Sequence, residues 1–191
     1  MNSSSPIVLF DACVLYPAPV RDFLLQLSVT GLFRARWTKA IHNEWIANLL
    51  ESRPDLTLKQ LERTRDLMNL AVPDSLVTGY ESHIPSLDLP DPDDRHVLAA
   101  AIEGNAETIV TFNLKDFPPA SLHPFGLSAV HPDSFVLSFF NQSPISVSDS
   151  AKMVRNRLKN PAMSLDDYFE RLSGSGFVET VAELRAFESG S

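Results

Sequence analysis

The sequence predicts an α/β fold, a three-layer α/β/α arrangement around a central parallel sheet, followed by a C-terminal helical extension. Two observations predict the layered part. Short apolar runs rich in β-formers (Ile7–Phe10, Thr108–Phe112, Leu127–Val130) alternate with stretches whose apolar residues recur at helical spacing. Such alternation implies βαβ units, which place helices on both faces of a parallel sheet. A third observation predicts the extension: beyond Asn141 only helical patterns remain. Residues 5–141 therefore read as one α/β domain and 142–191 as a helical addition.

Each element has a local reason. Ile7-Val8-Leu9-Phe10 is a continuous apolar run, as expected of a strand buried on both faces, and Asp11 stands at its end. Pro17 and Pro19 open a helix carrying Val20, Phe23, Leu24 and Leu27, which Gly31 stops. Thr38 is the expected N-cap of a helix with Ile41, Trp45 and Leu49 inward. Thr57 begins the next, with Leu58, Leu61 and Leu67 as its expected stripe, and Pro73-Asp74 ends it. Ser75–Gly79 is a candidate strand. Asp91-Pro92-Asp93-Asp94 opens a helix that turns Val97, Leu98, Ala101 and Ile102 inward and stops at Gly104-Asn105. After the strand at Thr108–Phe112, a Pro-rich loop is expected over Asn113–Gly126. His131-Pro132-Asp133 then starts a helix bearing Phe135, Val136, Phe139 and Phe140. A linker over Asn141–Ser146 leads to helices at Val147–Leu158, Ser164–Leu172 and Phe177–Phe187.

Composition narrows the function. The 191 residues carry 16 Lys and Arg against 24 Asp and Glu, a net charge of −8, which argues against a protein that holds nucleic acid by charge alone. The charge is uneven: Glu81–Asp116 contains eight carboxylates and two bases, whereas Gly31–Asp66 contains seven bases and five acids. A lone Cys13, in an apolar context and read as core packing, suits a reducing compartment. The first apolar run ends after four residues, with no basic segment before it, so neither a signal peptide nor a membrane span is expected. The expected location is cytoplasmic.

Open parallel sheets bind ligands beyond the carboxyl ends of their strands. Asp11 ends the first strand, Asp116 follows the strand at Thr108–Phe112, and Asp94 lies in the first turn of the helix before it. Asp94, Val97, Leu98 and Ala101 fall at i, i+3, i+4 and i+7, placing this carboxylate at the buried edge of its helix. Glu44, beside Ile41 and Trp45, also borders an apolar stripe. Taken singly, each acid has a plainer explanation. Asp91 is an N-cap, Asp94 complements a helix dipole, Asp116 forms an Asx-turn, and Glu44 is a solvated helix residue. Together they would repel one another unless a counter-charge joined them, and Mg²⁺ or Mn²⁺ suits an all-carboxylate set.

The combination resembles the PIN-domain proteins, the ribonuclease fold of VapC-type toxins, over about residues 5–141. The matching pieces are Ile-Val-Leu-Phe-Asp11-Ala-Cys-Val-Leu-Tyr-Pro, Glu44, Asp91-Pro-Asp-Asp94-Arg-His-Val-Leu-Ala-Ala-Ala and Ile-Val-Thr111-Phe-Asn113-Leu-Lys-Asp116-Phe. The resemblance implies that Asp11, Glu44, Asp94 and Asp116 form a catalytic, metal-binding quartet, with Asp91 an auxiliary acid and Thr111 and Asn113 bracing the site. Asp91, Asp93 and Asp94 all stand within reach of the third position, and helix phase favours Asp94. It further implies metal-assisted hydrolysis of RNA, with tRNA or rRNA as substrate. Arg34, Arg36, Lys39 and Arg95 are then candidates for phosphate contacts. In a bacterial setting it implies the toxin of a type II toxin–antitoxin pair, with a cognate antitoxin protein; a homodimer is common for the fold, and the Phe135/Phe139/Phe140 helix could serve it, though packing the tail is the simpler explanation. The extension resembles the tail of a longer subgroup.

Two other readings compete. A haloacid-dehalogenase-like phosphatase needs a second Asp two residues after the first, where this chain has Cys13. A non-catalytic PIN-like module that binds RNA or protein usually lacks acids of the quartet.

Overall fold

The computed structural model of the protein describes residues 5–159 and 161–190. Its sheet has four strands, all parallel, in the order β2-β1-β3-β4. They are β1 (Ile7–Phe10), β2 (Arg34–Arg36), β3 (Thr108–Val110) and β4 (Ser128–Val130). The chain steps from β1 to β2 on one side, then returns through helices to β3 on the other. β1 and β3 thus flank the point where the winding reverses, which opens a crevice at their carboxyl ends.

The connecting helices are α1 (Ala12–Leu15), α2 (Ala18–Val29), α3 (Lys39–Ser52), α4 (Leu58–Ala71), α5 (Arg95–Glu103) and α6 (Pro119–Leu122). The helices after the sheet are α7 (Pro132–Phe140), α8 (Pro144–Arg157), α9 (Leu165–Gly174) and α10 (Val178–Gly190). Val8, Leu9 and Phe10 are fully buried, as a central strand requires. Phe10 meets Phe33 edge-on and stacks on Trp37. Thr38 caps α3 by accepting from the Ile41 amide at 3.0 Å, and Ile41, Trp45 and Leu49 are buried. Thr57 and Gln60 form a reciprocal capping box on α4, and Ser164 with Asp167 forms another on α9.

Several expectations need correction. On α4 the buried pair is Leu61 and Met68, while Leu58 and Leu67 are exposed. Seven residues make nearly two turns, so Leu61 and Met68 share a face, whereas Leu67 falls well away from Leu61. Ser75–Gly79 is not a strand; Leu76 makes one isolated parallel bridge to Trp37 at the sheet edge. The segment after β3 is not a plain loop, since a 3₁₀ turn (Leu114–Asp116), α6 and a second 3₁₀ turn (His123–Phe125) fill it. The linker shortens to Asn141–Ser143 because Pro144 already starts α8. Phe135 and Phe140 of α7 are buried, Phe139 packs beside Phe33 and Phe135, and Phe140 meets Phe187 of α10 edge-on, so these rings pack within the chain, the simpler of the two expectations for this helix.

The extension is packed on the sheet domain. α8 and α9 lie against α2, and α10 lies against α7 and α9. Phe177, just before α10, meets Phe23 of α2 edge-on. No helix among the described residues is long and apolar enough to cross a membrane.

A buried polar network joins α3 to α4. Trp45 Nε1 donates to His42 Nδ1 at 2.9 Å, so the proton of neutral His42 is on Nε2, which faces Asn69 Oδ1 at 3.1 Å. Trp37 Nε1 donates to the same oxygen at 2.8 Å. A charged ring would set two donors against each other at Nδ1. Burial, only partly offset by Asn69, pushes the His42 pKa down to about 4. Because the unfolded ring titrates near 6.5, the unfolded chain binds more protons between those values, and stability falls as pH drops through that window. The loss from this ring is on the order of 3 kcal/mol. In an NMR titration the His42 ring signals are expected to stay fixed from pH 8 to about 5. An inflection near pH 6.5 at His42 would refute the network.

Candidate active site

The crevice between β1 and β3 is built by the two residues that leave those strands. Asp11 follows β1 and bonds through its amide to the Val110 carbonyl at 3.2 Å; Thr111 follows β3. The Asp11 side chain is buried and held at both oxygens. Oδ1 accepts from the Ala12 amide at 2.6 Å, and Oδ2 accepts from Thr111 Oγ1 at 2.7 Å and from Cys13 Sγ at 3.1 Å. Thr111 Oγ1 in turn accepts from the Asn113 amide at 2.9 Å, and Cys13 Sγ accepts from the Phe112 amide at 3.2 Å. The carboxylate is therefore fixed before any ligand arrives.

The other acids come from three directions. Asp94 sits where a 3₁₀ turn (Pro92–Asp94) passes into α5, half-buried. Asp91 accepts from the Asp93 amide at 2.9 Å and so caps that turn, with its own side chain exposed. Glu44 projects from α3 and is half-buried, as is Asp116 at the end of its 3₁₀ turn.

Their convergence is recorded in the protonation of Asp94. Its pKa is raised to about 7, first by burial and then by the charges of Asp11, Asp91, Asp116 and Glu44. Asp11 is also pushed up, mainly by burial and in part by Glu44, against the lowering effect of its hydrogen bonds. The structure thus brings Asp11, Glu44, Asp91, Asp94 and Asp116 into one electrostatic unit. Asp93 is exposed, and its amide serves the Asp91 cap.

The donor set fits a hard divalent cation in chemistry: carboxylate oxygens only, four of them raising the pKa of Asp94 until a counter-charge is supplied. Among the described residues, however, no three His, Cys, Asp or Glu side chains are gathered tightly enough to hold one ion as they stand.

Two nearby residues have roles that spacing did not suggest. Cys13, read as core packing, has its sulfur on Asp11 and 3.3 Å from Thr111 Oγ1, and burial pushes its pKa far up, so it serves as a neutral thiol. His96, read as structural or surface, has Nε2 3.5 Å from Glu44 Oε2, while its Nδ1 is buried without a hydrogen bond. The available signals were position alone: Cys13 lies two residues after Asp11, and His96 two after Asp94.

The remaining candidates are scattered. Asn113 contributes its backbone amide, with an exposed side chain. Arg95 is half-buried at the start of α5 with Nη2 3.5 Å from Asp88, and Lys39 is exposed at the start of α3. Arg34 and Arg36 line a cavity of about 280 Å³ with Gly31 and Asp74, and none of the five acids lines it. Arg36 donates to the Asp74 carbonyl there.

A family model of the PIN domain matches residues 7–115, more than half of the chain. The chain belongs to the PIN-domain family. A second family model, the VapC50 C-terminal domain, matches residues 132–186, which run from α7 into α10. Among curated proteins, one named "Putative ribonuclease VapC50", from Mycobacterium tuberculosis (strain ATCC 25618 / H37Rv), is 59% identical over 44 residues. That stretch spans 23% of this chain and 26% of the relative, so about a quarter of the relative's length is covered. The sheet thus matches the PIN domain, and the tail matches the VapC50 C-terminal domain.

Proposed function

We propose that this PIN-domain protein is a Mg²⁺- or Mn²⁺-dependent endoribonuclease, the toxin of a VapBC-like type II pair in the cytoplasm. The observation that carries the reading is the half-buried Asp94, raised to about 7 by burial and by four other carboxylates, beside the carboxyl ends of β1 and β3. Asp11, Glu44, Asp94 and Asp116, with Asp91 nearby, are the residues that would hold the cation. When bound, a divalent ion supplies the positive charge that lets these acids ionise together and that activates water against an RNA phosphodiester. The chain's own contribution is placement. Thr111, Cys13 and the Ala12 amide fix Asp11, His96 stands against Glu44, and Asp91 sets the turn that presents Asp94. The domain division at about residue 142 is part of the same reading, with the catalytic residues before it. A cognate antitoxin would cover the acidic crevice, where a Lys or Arg can neutralise the carboxylates.

One observation favours a second reading, a PIN-like module that binds RNA or protein without cutting it: among the described residues the acids are not gathered into a ligand cluster. A labelled panel of tRNA and rRNA incubated with Mg²⁺, Mn²⁺ or EDTA separates the two. Cleavage is expected with either metal and none with EDTA. RNA binding with no cleavage under any metal would establish the module instead.

A further inference from the structure

Beside the acidic crevice lies a cavity of about 640 Å³ with a different character. It opens between the α1–α2 junction, α3, α4 and α9, and its walls include Tyr16, Arg21, Arg53, Leu61, Thr64 and Arg171. Among the described residues no Asp or Glu lines it, although the chain as a whole carries a net charge of −8. The three arginines differ in freedom. Arg21 is buried, donating to the Leu15 carbonyl at 3.2 Å, ion-paired with Asp22 at 3.3 Å and lying 5.4 Å from the Trp45 ring centroid, so it is held in the wall with its charge already paired. Arg53 is held as a fork on Asp55 at 2.8 and 2.6 Å. Arg171, in the last turn of α9, is exposed, and among the described residues its guanidinium makes neither a hydrogen bond nor an ion pair. Tyr16 supplies an aromatic wall tethered through its hydroxyl to Ser52 Oγ at 2.7 Å, beside Pro17 and Pro19.

The position is as informative as the lining. Tyr16 is separated from Asp11 only by the short α1, and Arg53 caps the same helix that carries Glu44. Nine residues of helix span about 13 Å, so the cavity lies within reach of a strand seated at the acids. Its volume is in the range of pockets that enclose a nucleotide-sized ligand. An aromatic wall with an unpaired arginine is the combination that single-stranded nucleic acid uses, a base stacking on the ring and a phosphate accepting from the guanidinium.

We propose that this cavity is a subsite for a nucleotide flanking the cleaved bond of a single-stranded RNA, with Tyr16 stacking its base and Arg171 binding its phosphate. The helical extension thereby takes part in substrate binding, since Arg171 belongs to it. The proposal rests on the ribonuclease reading, and binding measured without metal tests it separately.

The test uses the full chain in EDTA, with a fluorescent uridine pentanucleotide followed by anisotropy. Arg171→Ala and Tyr16→Leu are each expected to weaken binding at least five-fold. Arg171→Ala should also reduce the slope of log affinity against log salt by about 0.7, the value for one phosphate contact on a single strand. Arg63→Ala, an equal charge loss on the exposed side of α4, should stay within two-fold. In cleavage assays Arg171→Ala should raise KM with kcat within two-fold. Uridine monophosphate should compete better than inorganic phosphate, and a Glu-rich peptide should not compete. Unchanged affinity and salt slope in Arg171→Ala overturn the subsite, as does equal competition by inorganic phosphate or by the peptide. If Arg171→Ala binds like wild type while Asp11→Asn loses cleavage, the subsite fails and the nuclease stands. If wild type cuts nothing but binding depends on Tyr16 and Arg171, the nuclease reading fails and the cavity stands as a single-stranded RNA-binding site without a cleaved bond to flank.

Discussion

Asp11→Asn is expected to reduce RNA cleavage at least 100-fold while leaving the protein folded. Changes to residues that merely orient a metal ligand cost about 10–100-fold, and Asp11 is proposed as a ligand itself. The fold should tolerate the change because burial already disfavours the charged form of Asp11. The amide keeps an oxygen for the Ala12 N–H, and the Thr111 hydroxyl can turn to accept. Melting temperature should therefore equal or exceed that of wild type, so that lost activity and retained stability appear in the same sample. Asp94→Asn should behave likewise, since it removes the carboxyl on which four other acids act. Asp91→Asn should cost about 10–100-fold by the scale for supporting residues, and exposed Asp93→Asn about two-fold at most. A wild-type cleavage rate in Asp11→Asn would remove the acids from the chemistry. Strong loss in Asp93→Asn with activity kept in Asp94→Asn would reassign the third position.

What the sequence reveals about this fold is what short-range physics determines. Strand β1, the Thr38 cap and the Ser164–Asp167 box are each encoded within a few residues, and all three are found. Strand β2 went unread because Arg34-Ala35-Arg36 contains one buried residue, Ala35, and sits at the sheet edge, where pairing to β1 rather than an apolar run defines it. The stripe of α4 was misplaced because leucines on the exposed face masked the true period. At the site, Asp11 and Asp116 follow strands, Asp91 and Asp94 open a helix and Glu44 borders an apolar stripe; these positions are visible in the sequence, whereas grouping them rests on the family resemblance. The roles of Cys13 and His96 are not visible there, because a thiol or imidazole gains its meaning from a neighbour such as Thr111 or Glu44, far away in sequence. Arg34 and Arg36, basic and early in the chain, are brought to a cavity that none of the five acids lines, which composition alone has no means to foresee.

Asp133→Ala is expected to lower stability by about 3 kcal/mol, through contacts that no local pattern signals. Asp133 lies in the first turn of α7 and is buried, yet its carboxylate is spent on another helix. It accepts from the Glu179 amide at 2.8 Å and the Thr180 amide at 2.9 Å, at the start of α10, and Thr180 Oγ1 donates back to the Asp133 carbonyl at 3.2 Å. An aspartate from 47 residues away thus does the work of an N-cap side chain, satisfying amides that the first helical turn leaves without partners. Removing it strands two amides in a setting that water reaches poorly, at roughly 1–3 kcal/mol each when unrelieved. The favourable meeting of a carboxylate with the α10 dipole is lost as well. For a chain of this length, about 3 kcal/mol corresponds to roughly 6–12 °C in melting temperature, readable by circular dichroism. Asp133→Asn, which keeps an acceptor but not the charge, should fall between Ala and wild type. If Asp133→Ala melts within 2 °C of wild type, α10 is held by its apolar contacts with α7 and α9 alone.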